Sequence, residues 1–380
     1  AASDVYKRQL IERHQAIAQE ASGNPIGMLY PKFSADTSLL NTFSAHGFAF
    51  TLALLKQLPA SNEIVDLCGQ IQLAYNPREQ EKQTKLLSAT GQNQSFQLLT
   101  ATEASDIANI TLKVGGLYLP ESGWVKPKAF CQALINSHFV STIISTQAIS
   151  IKKLGSHWQV CLPKAQLLEA DIVVLCNAID IHQFEPCQNI PITPVRGQVN
   201  FFESNTISQA IRPVICSDHY LSPAVNGMHS IGTSYAPNNL NPAISNHDTL
   251  ANMLALKKIS SDIFDSVNQS KITGRVAWRS ATKDYMPLAG QLIVEQALRK
   301  SPPRYNDDPR DLPWLKGLYV NAGHGSKGMI TAPICGELIA NLVTTEPLVI
   351  NQAIASKLNP SRFLLRDLGL KKIAQNCYGF

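Results

Sequence analysis

The stretch that most limits how this chain can fold runs from Gly317 to Val343. Gly317-Leu318-Tyr319-Val320 is a short apolar run that reads as a strand. Asn321 to Pro333 follows with three glycines, Gly323, Gly325 and Gly328. Ile334 to Val343 then reads as a helix with Pro333 in its first turn. The order strand, glycine-rich turn, helix lets backbone approach a ligand closely. Amides near the helix start can face an acceptor or a developing anion. Such a turn is also compatible with a plain strand-to-helix connection, so its meaning depends on the rest of the chain.

The chain has 380 residues, 44% hydrophobic and 16% charged, which fits one large or two interleaved globular domains. No apolar run reaches the roughly 18–20 residues of a membrane span, and a net charge of +5 permits an anionic partner without requiring one. The eight cysteines form no C-x-x-C pair and no zinc-type spacing. No metal is therefore expected. Runs such as Val173-Val174-Leu175-Cys176 point to reduced, buried thiols of a cytoplasmic protein. There is no internal repeat or signal peptide pattern.

Taken in order, Ala1 to Gln9 shows no strand or helix pattern. Leu10-Ile11-Glu12-Arg13 reads as the end of a strand closing on an acidic residue, as where dinucleotide folds hold a ribose. The Gly-x-Gly-x-x-Gly turn that belongs about 20 residues earlier has no room here. A lost N-terminus, with foreign sequence over the first nine residues, accounts for this; an ordinary exposed Glu12 is the alternative. Asp36 is expected to cap a helix from Thr37 to Leu58, and Lys126-Pro127-Lys128 to open another. Ala170 to Ala178 reads as a buried parallel strand ending in small residues, the usual place for a ligand in an open α/β sheet. Residues 191–290 are richer in β pattern, with Asn226-Gly227 as a hairpin turn. Residues 301–313 read as a surface loop and the tail as partly helical. The pattern is α/β at both ends with a β-rich insert.

Four separated blocks carry a family resemblance: Ala21-Ser22-Gly23-Asn24-Pro25 with Gly27-Met28-Leu29-Tyr30-Pro31; Pro194-Val195-Arg196-Gly197-Gln198; Arg279-Ser280-Ala281-Thr282-Lys283-Asp284-Tyr285-Met286-Pro287; and Asn321 to Pro333. Leu358-Asn359-Pro360-Ser361-Arg362-Phe363 adds to them. In this order they resemble the D-amino-acid-oxidase/glycine-oxidase superfamily of flavoproteins. More narrowly they resemble the FAD-dependent half of bifunctional tRNA 5-methylaminomethyl-2-thiouridine biosynthesis proteins, from about Leu10 to about Leu370.

The resemblance implies an α/β, D-amino-acid-oxidase-like FAD-binding fold, an incomplete Rossmann-type sheet, with an antiparallel β-rich substrate domain. FAD-binding segments would be 1–75, 121–192 and 291–380, and substrate-domain segments 76–120 and 193–290. Glu12 would hold the adenosine ribose of FAD. Ala21, Ser22 and Asn24, with Gly27 and Met28, would line its pyrophosphate and flavin side. Asn177 and Ala178 would sit where a strand end passes the cofactor. Gly323, His324, Gly325, Ser326, Lys327, Gly328 and Met329 would put amides at the flavin's pyrimidine edge, where the reduced ring gathers negative charge.

The implied reaction is oxidation of the secondary amine of 5-carboxymethylaminomethyl-2-thiouridine at the tRNA wobble position, releasing glyoxylate. Arg279 would clamp the glycine-like carboxylate bidentately and Tyr220 would donate a second bond. The family's Arg-Pro-Gly-Thr-Lys-Asp is here Arg279-Ser280-Ala281-Thr282-Lys283-Asp284. No general base is named. Lys283-Asp284 is expected to be a structural pair, and Arg196 and Lys327 are candidates for cofactor or tRNA phosphate contact, with surface charge as the plain alternative. A methyltransferase half, fused or separate, would be the partner domain. Lacking the first strand and its glycine turn, the chain as given is expected to bind FAD poorly or not at all. The competing readings are a free glycine, sarcosine or D-amino-acid-type oxidase, and a non-catalytic tRNA-binding remnant.

Overall fold

The computed structural model describes residues 8–378 except 37, 92–93 and 305–306. The unpatterned start of the chain, up to residue 7, lies outside the described residues.

Two layers of structure meet at the glycine-rich turn. The first is α/β. Val173–Leu175 pairs in parallel with Trp314–Ala322, which also pairs antiparallel with Leu288–Ile293. Arg8–Ile11 pairs in parallel with Val140–Ile143 as a separate two-stranded unit. Helices Leu39–Gln57 and Gly328–Thr344 pack on each other. They approach so closely at Gly47 that a Cβ there would lie 2.3 Å from Ile330 O.

The second layer is a nine-stranded sheet. It takes strands from Gln70–Leu73, Gln97–Leu99 and Gly116–Leu119, and from the long Ile192–Glu203 and Thr273–Thr282 pair. Alternation sorts its side chains. Ile71, Ile215, Leu221 and Ile231 face Met253 and Leu256 of the Asn246–Ile259 helix in one core. The opposite face looks toward the α/β layer. Between Val225 and Met228, Asn226 (φ 52°) and Gly227 (φ 77°) make the expected two-residue turn.

Several local expectations shift. The last helix of the glycine-rich segment begins at Gly328, so Pro333 lies inside it rather than in its first turn. Proline cannot donate to the carbonyl four residues back. That carbonyl, Met329 O, accepts from Thr51 Oγ1 at 3.2 Å instead, which is how the helix tolerates Pro333. The first long helix is capped by Ser38 rather than Asp36. The strand expected across 170–178 is split. Leu167–Ala170 ends an antiparallel sheet with Trp158–Cys161 of its neighbour, and Val173–Leu175 alone joins the parallel pair. It is not buried on both faces, because Ile172 and Val174 are exposed.

Asp284 is not paired with Lys283. It receives Arg362 Nη2 at 2.7 Å and Nε at 3.0 Å, with Arg366 and Lys357 nearby. The fully buried Arg362 guanidinium thereby fastens the C-terminal helices to the end of the Thr273–Thr282 strand. Arg196 is likewise no phosphate contact. It is buried, paired with Asp248, and donates to Asn241 O at 2.7 Å and Ala243 O at 2.5 Å.

Candidate active site

The two sequence blocks that carry most of the resemblance meet in space. Gly325 N donates to Ser280 O at 2.7 Å and Gly323 N to Ser280 Oγ at 3.2 Å, and Ala281 bridges His324. Arg279 therefore sits beside the turn that opens the Gly328–Thr344 helix. Its guanidinium lies over Gly197, where a Cβ would be 2.8 Å from Nη1, so a larger residue there would push the guanidinium aside. It bonds Thr233 Oγ1 and, at 3.4 Å, Ser234 O.

Among the described residues no carboxylate pairs with Arg279. Burial lowers its proton affinity, while the neighbouring hydroxyls of Tyr220, Tyr235 and Tyr30 act in the other direction. Burial raises the pKa of Tyr220 and Tyr30, against the pull of Arg279, so both stay protonated donors. The result is a cation and a set of O–H groups without an anion.

Lys327 joins this cluster. Its stem is half-buried, yet Nζ is buried without a hydrogen-bond partner and lies over the Tyr30 ring, 3.1 Å from its centroid. Burial pushes its pKa down to about 7, with Cys216 partly opposing and Lys32 adding to the fall. The reading of Lys327 as a surface cation is thus corrected. His324 is held neutral by burial, with its pKa pushed down to about 4. Thr331 Oγ1 donates to Lys327 O at 2.9 Å, so its lone pairs accept His324 Nδ1–H at 3.0 Å.

The helix start offers fewer amides than the sequence implied. Gly323, Gly325 and Lys327 donate within the protein. The amides of Ser326, Gly328 and Met329 have no acceptor among the described residues, and Lys327, the N-cap, provides no side-chain cap. Nothing lies within 4 Å of where a Cβ on Gly325 would project.

At the end of the Val173–Leu175 strand, Asn177 holds both side-chain polar atoms buried and unpartnered, followed by Ala178 at φ 49°. Glu12 follows the Arg8–Ile11 strand directly and accepts from His14 N at 2.9 Å. Ala21 and Ser22 lie on a single 3₁₀ turn with Gly23. Gly27 and Met28 lie on the next strand, in register with Val125 and Trp124. Asn24 Oδ1 accepts from Arg275 at 2.7 Å. Arg275 also holds Gln19 O at 2.6 Å, tying the substrate-side sheet to the 19–24 loop. Sequence reasoning missed Arg275, although alternation puts it on the same strand face as Arg279. It missed Tyr30 as well.

Unpartnered amides at a helix start, an orphaned buried side-chain amide at a strand end and open space at Gly325 are groups to which an anionic, hydrogen-bonding ligand could bind. Beside the helix start lies an unpaired arginine under a β-rich layer. The two-layer fold thus offers places for an anionic group at a helix start and beside an unpaired arginine.

The chain belongs to the DAO family of FAD dependent oxidoreductases, whose profile matches residues 6–342. It is 36% identical over 367 residues to the tRNA 5-methylaminomethyl-2-thiouridine biosynthesis bifunctional protein MnmC of Methylobacillus flagellatus, covering 96% of this chain and 57% of that protein. It is 38% identical over 371 residues to the protein of the same name from Pseudomonas fluorescens, covering 94% and 56%. The chain thus spans a little over half the length of these curated relatives. In fold it is similar to glycine oxidase from Geobacillus kaustophilus, with a TM-score of 0.77, 20% identity, and coverage of 95% of this chain and 93% of that one. L-proline dehydrogenase from P. horikoshii gives a TM-score of 0.74 at 16% identity, covering 94% and 91%. Among the described residues no helix is long and apolar enough to cross a membrane, and no group of three or more metal-ligating side chains occurs.

Proposed function

We propose that this chain oxidises the carboxymethylaminomethyl group of 5-carboxymethylaminomethyl-2-thiouridine at the wobble position of tRNA, leaving 5-aminomethyl-2-thiouridine and glyoxylate. FAD, when bound, supplies the two-electron acceptor for the C–H bond beside the amine. Glu12, the 21–28 loop and strand, Asn177, Ala178 and the free amides of Ser326, Gly328 and Met329 would hold it. The shared name of the curated relatives supports the tRNA substrate. A methyltransferase partner domain and a cytoplasmic setting follow from the same reading.

The observation that carries the proposal is Arg279, a cation beside the helix-start turn with no anion of its own. A glycine-like carboxylate supplies that anion. Its two oxygens match the guanidinium fork, and the Tyr220 hydroxyl adds a donor. Lys327 lies in the same cluster. A carboxylate arriving there favours the charged ammonium, so binding above pH 7 is accompanied by proton uptake. Two-electron oxidation turns the amine into an imine, and water then hydrolyses it to glyoxylate and the primary amine on the base.

The test is to load the chain with FAD and present tRNA carrying the carboxymethylaminomethyl group, with glycine and N-methylglycine as comparators. Glyoxylate release and loss of the modified nucleoside from tRNA, faster than with either free amine, is the expected result. Faster turnover of N-methylglycine would reassign the chain to free-amine oxidation. Flavin-loaded protein inert toward all three would remove the catalytic reading.

A further inference from the structure

Two buried polar side chains, Gln70 on the nine-stranded sheet and Trp124 on the three-stranded sheet that packs beside it, are left unused by the chemistry above. Gln70 is fully buried, and neither its amide oxygen nor its amide nitrogen has a partner. Trp124 is 9% exposed, and its indole N–H is buried without an acceptor. Leaving such atoms empty costs about 1–3 kcal/mol each, so folded chains rarely do it without a use.

The two residues are linked through Val214. Gln70 is in register with Val214, and Val214 packs in one cluster with Trp124, Ile26 and Cys216. Ile71 and Ile215, one position on, go to the opposite core. Gly69 N donates to Ser122 O at 2.8 Å and Val214 N to Gly69 O at 3.0 Å, which ties the beginnings of these strands together. The same face continues to the carboxylate end of the site, because Cys216 is in register with Tyr220, which packs on that cluster.

We propose that Gln70 and Trp124 read the hydrogen-bonding edge of a uracil-type base on the substrate, a proposal that rests on the substrate class given above. The Gln70 amide offers one donor and one acceptor, and the Trp124 indole offers one further donor. A uracil edge presents the complement: an oxygen or sulfur acceptor at C2, the N3–H donor and the C4 oxygen acceptor. With its carboxylate at Arg279 and its base against Gln70 and Trp124, one substrate satisfies both ends of the cluster. A free amino acid carries no such base edge.

The experiment titrates this chain with 2-thiouridine and with its N3-methyl derivative, by calorimetry. Methylation removes the central donor, so the parent nucleoside is expected to bind about tenfold more tightly, the order of effect for one lost buried hydrogen bond. Gln70→Leu should abolish that difference, and Trp124→Phe should weaken the parent nucleoside several-fold. Both variants should melt no lower than the parent chain, because each removes an unpaired buried polar group. Equal binding of the two nucleosides to the parent chain, or an undiminished difference in Gln70→Leu, overturns the proposal. N-methylglycine, titrated in parallel with Arg279→Gln, separates the two claims. Arg279-dependent binding of the amino acid without nucleoside discrimination sinks base reading alone. Nucleoside discrimination in FAD-loaded protein that leaves modified tRNA untouched sinks the proposed reaction alone.

Discussion

At the scale of single residues, the site is defined by charges and dipoles left without partners. Arg279 is the plainest case. A guanidinium with only hydroxyl and carbonyl neighbours gains little for stability. Arg279→Gln should therefore fold as well as the parent, within about 0.5 kcal/mol. Its turnover of a carboxylate-bearing amine should fall on the order of 10²-fold, as befits a lost bidentate charge-assisted pair; a loss under about threefold would remove the clamp from the account. Lys327 has a pH signature. Its pKa falls from 10.5 to about 7 on folding, so between those values the unfolded chain binds more protons and stability rises with pH. Below pH 7 the folded chain bears the whole cost of the buried charge. Lys327→Met should accordingly raise the melting temperature most at pH 6 and progressively less toward pH 10, as differential scanning calorimetry would show. This residue also marks a limit of sequence reading. A lysine between Ser326 and Gly328 in a polar turn looks like surface charge, and only the fold reveals that Tyr30 roofs its ammonium. Arg279 was legible because its motif accompanies it. Gln70 and Trp124 were not, since a strand glutamine and a strand tryptophan announce nothing until their neighbours fail to bond them.

At the scale of elements, the strand, turn and helix around His324 could be read directly from Gly317 to Val343, yet the helix start lay earlier than Pro333 suggested. The displacement has a specific cause, the Thr51 hydroxyl that takes up the Met329 carbonyl from a helix far away in sequence. Lys283-Asp284 shows the same lesson. Adjacent opposite charges invite pairing, but the two residues sit in the turn after the Thr273–Thr282 strand, and Asp284 turns to Arg362 in the tail. That ion pair docks the Gln352–Leu358 and Arg362–Asp367 helices on the glycine-turn layer. Arg362→Met leaves a partly buried carboxylate and several carbonyls without their donor, and should cost about 3–5 kcal/mol by denaturant unfolding. Burial alone would raise the Asp284 pKa, but Arg362 and Lys357 outweigh it and hold it below 3.8. Its contribution is therefore complete above pH 3.8 and is lost as pH falls through the lowered value. Asp284→Asn should flatten the acid limb of the stability curve, and an unchanged limb would show that the pair contributes nothing.

At the scale of the whole molecule, the α/β layer has two open edges that face a common place. Arg8–Ile11 pairs on one side with Val140–Ile143, and Val173–Leu175 on one side with Trp314–Ala322; the other edge of each has no strand among the described residues. Just beyond them Arg13 Nη1 meets Asp180 at 2.8 Å, and Ile11 packs against the core that contains Leu175 and Leu318. The two strands are thus held side by side at their carboxyl ends, where Glu12 and Asn177 emerge. Unpaired strand edges leave a row of backbone donors and acceptors without partners. One more parallel strand pairing with both would join the two-stranded and three-stranded units into one sheet. A glycine-rich turn after it would set backbone amides between Glu12 and Asn177, where the diphosphate of a dinucleotide needs them. Lengthening the chain before Arg8 by such a strand and turn should raise FAD affinity by at least an order of magnitude, the effect of several charge-assisted amide bonds. Flavin absorbance that stays with the protein through gel filtration is the measure, with Arg13→Ala and Asp180→Ala in the lengthened chain expected to weaken retention by only a few-fold, as partly exposed pairs do. A lengthened chain that folds cooperatively yet elutes colourless would mean that these edges do not frame the cofactor. The amides at Ser326, Gly328 and Met329 would then have to be explained by a different anion.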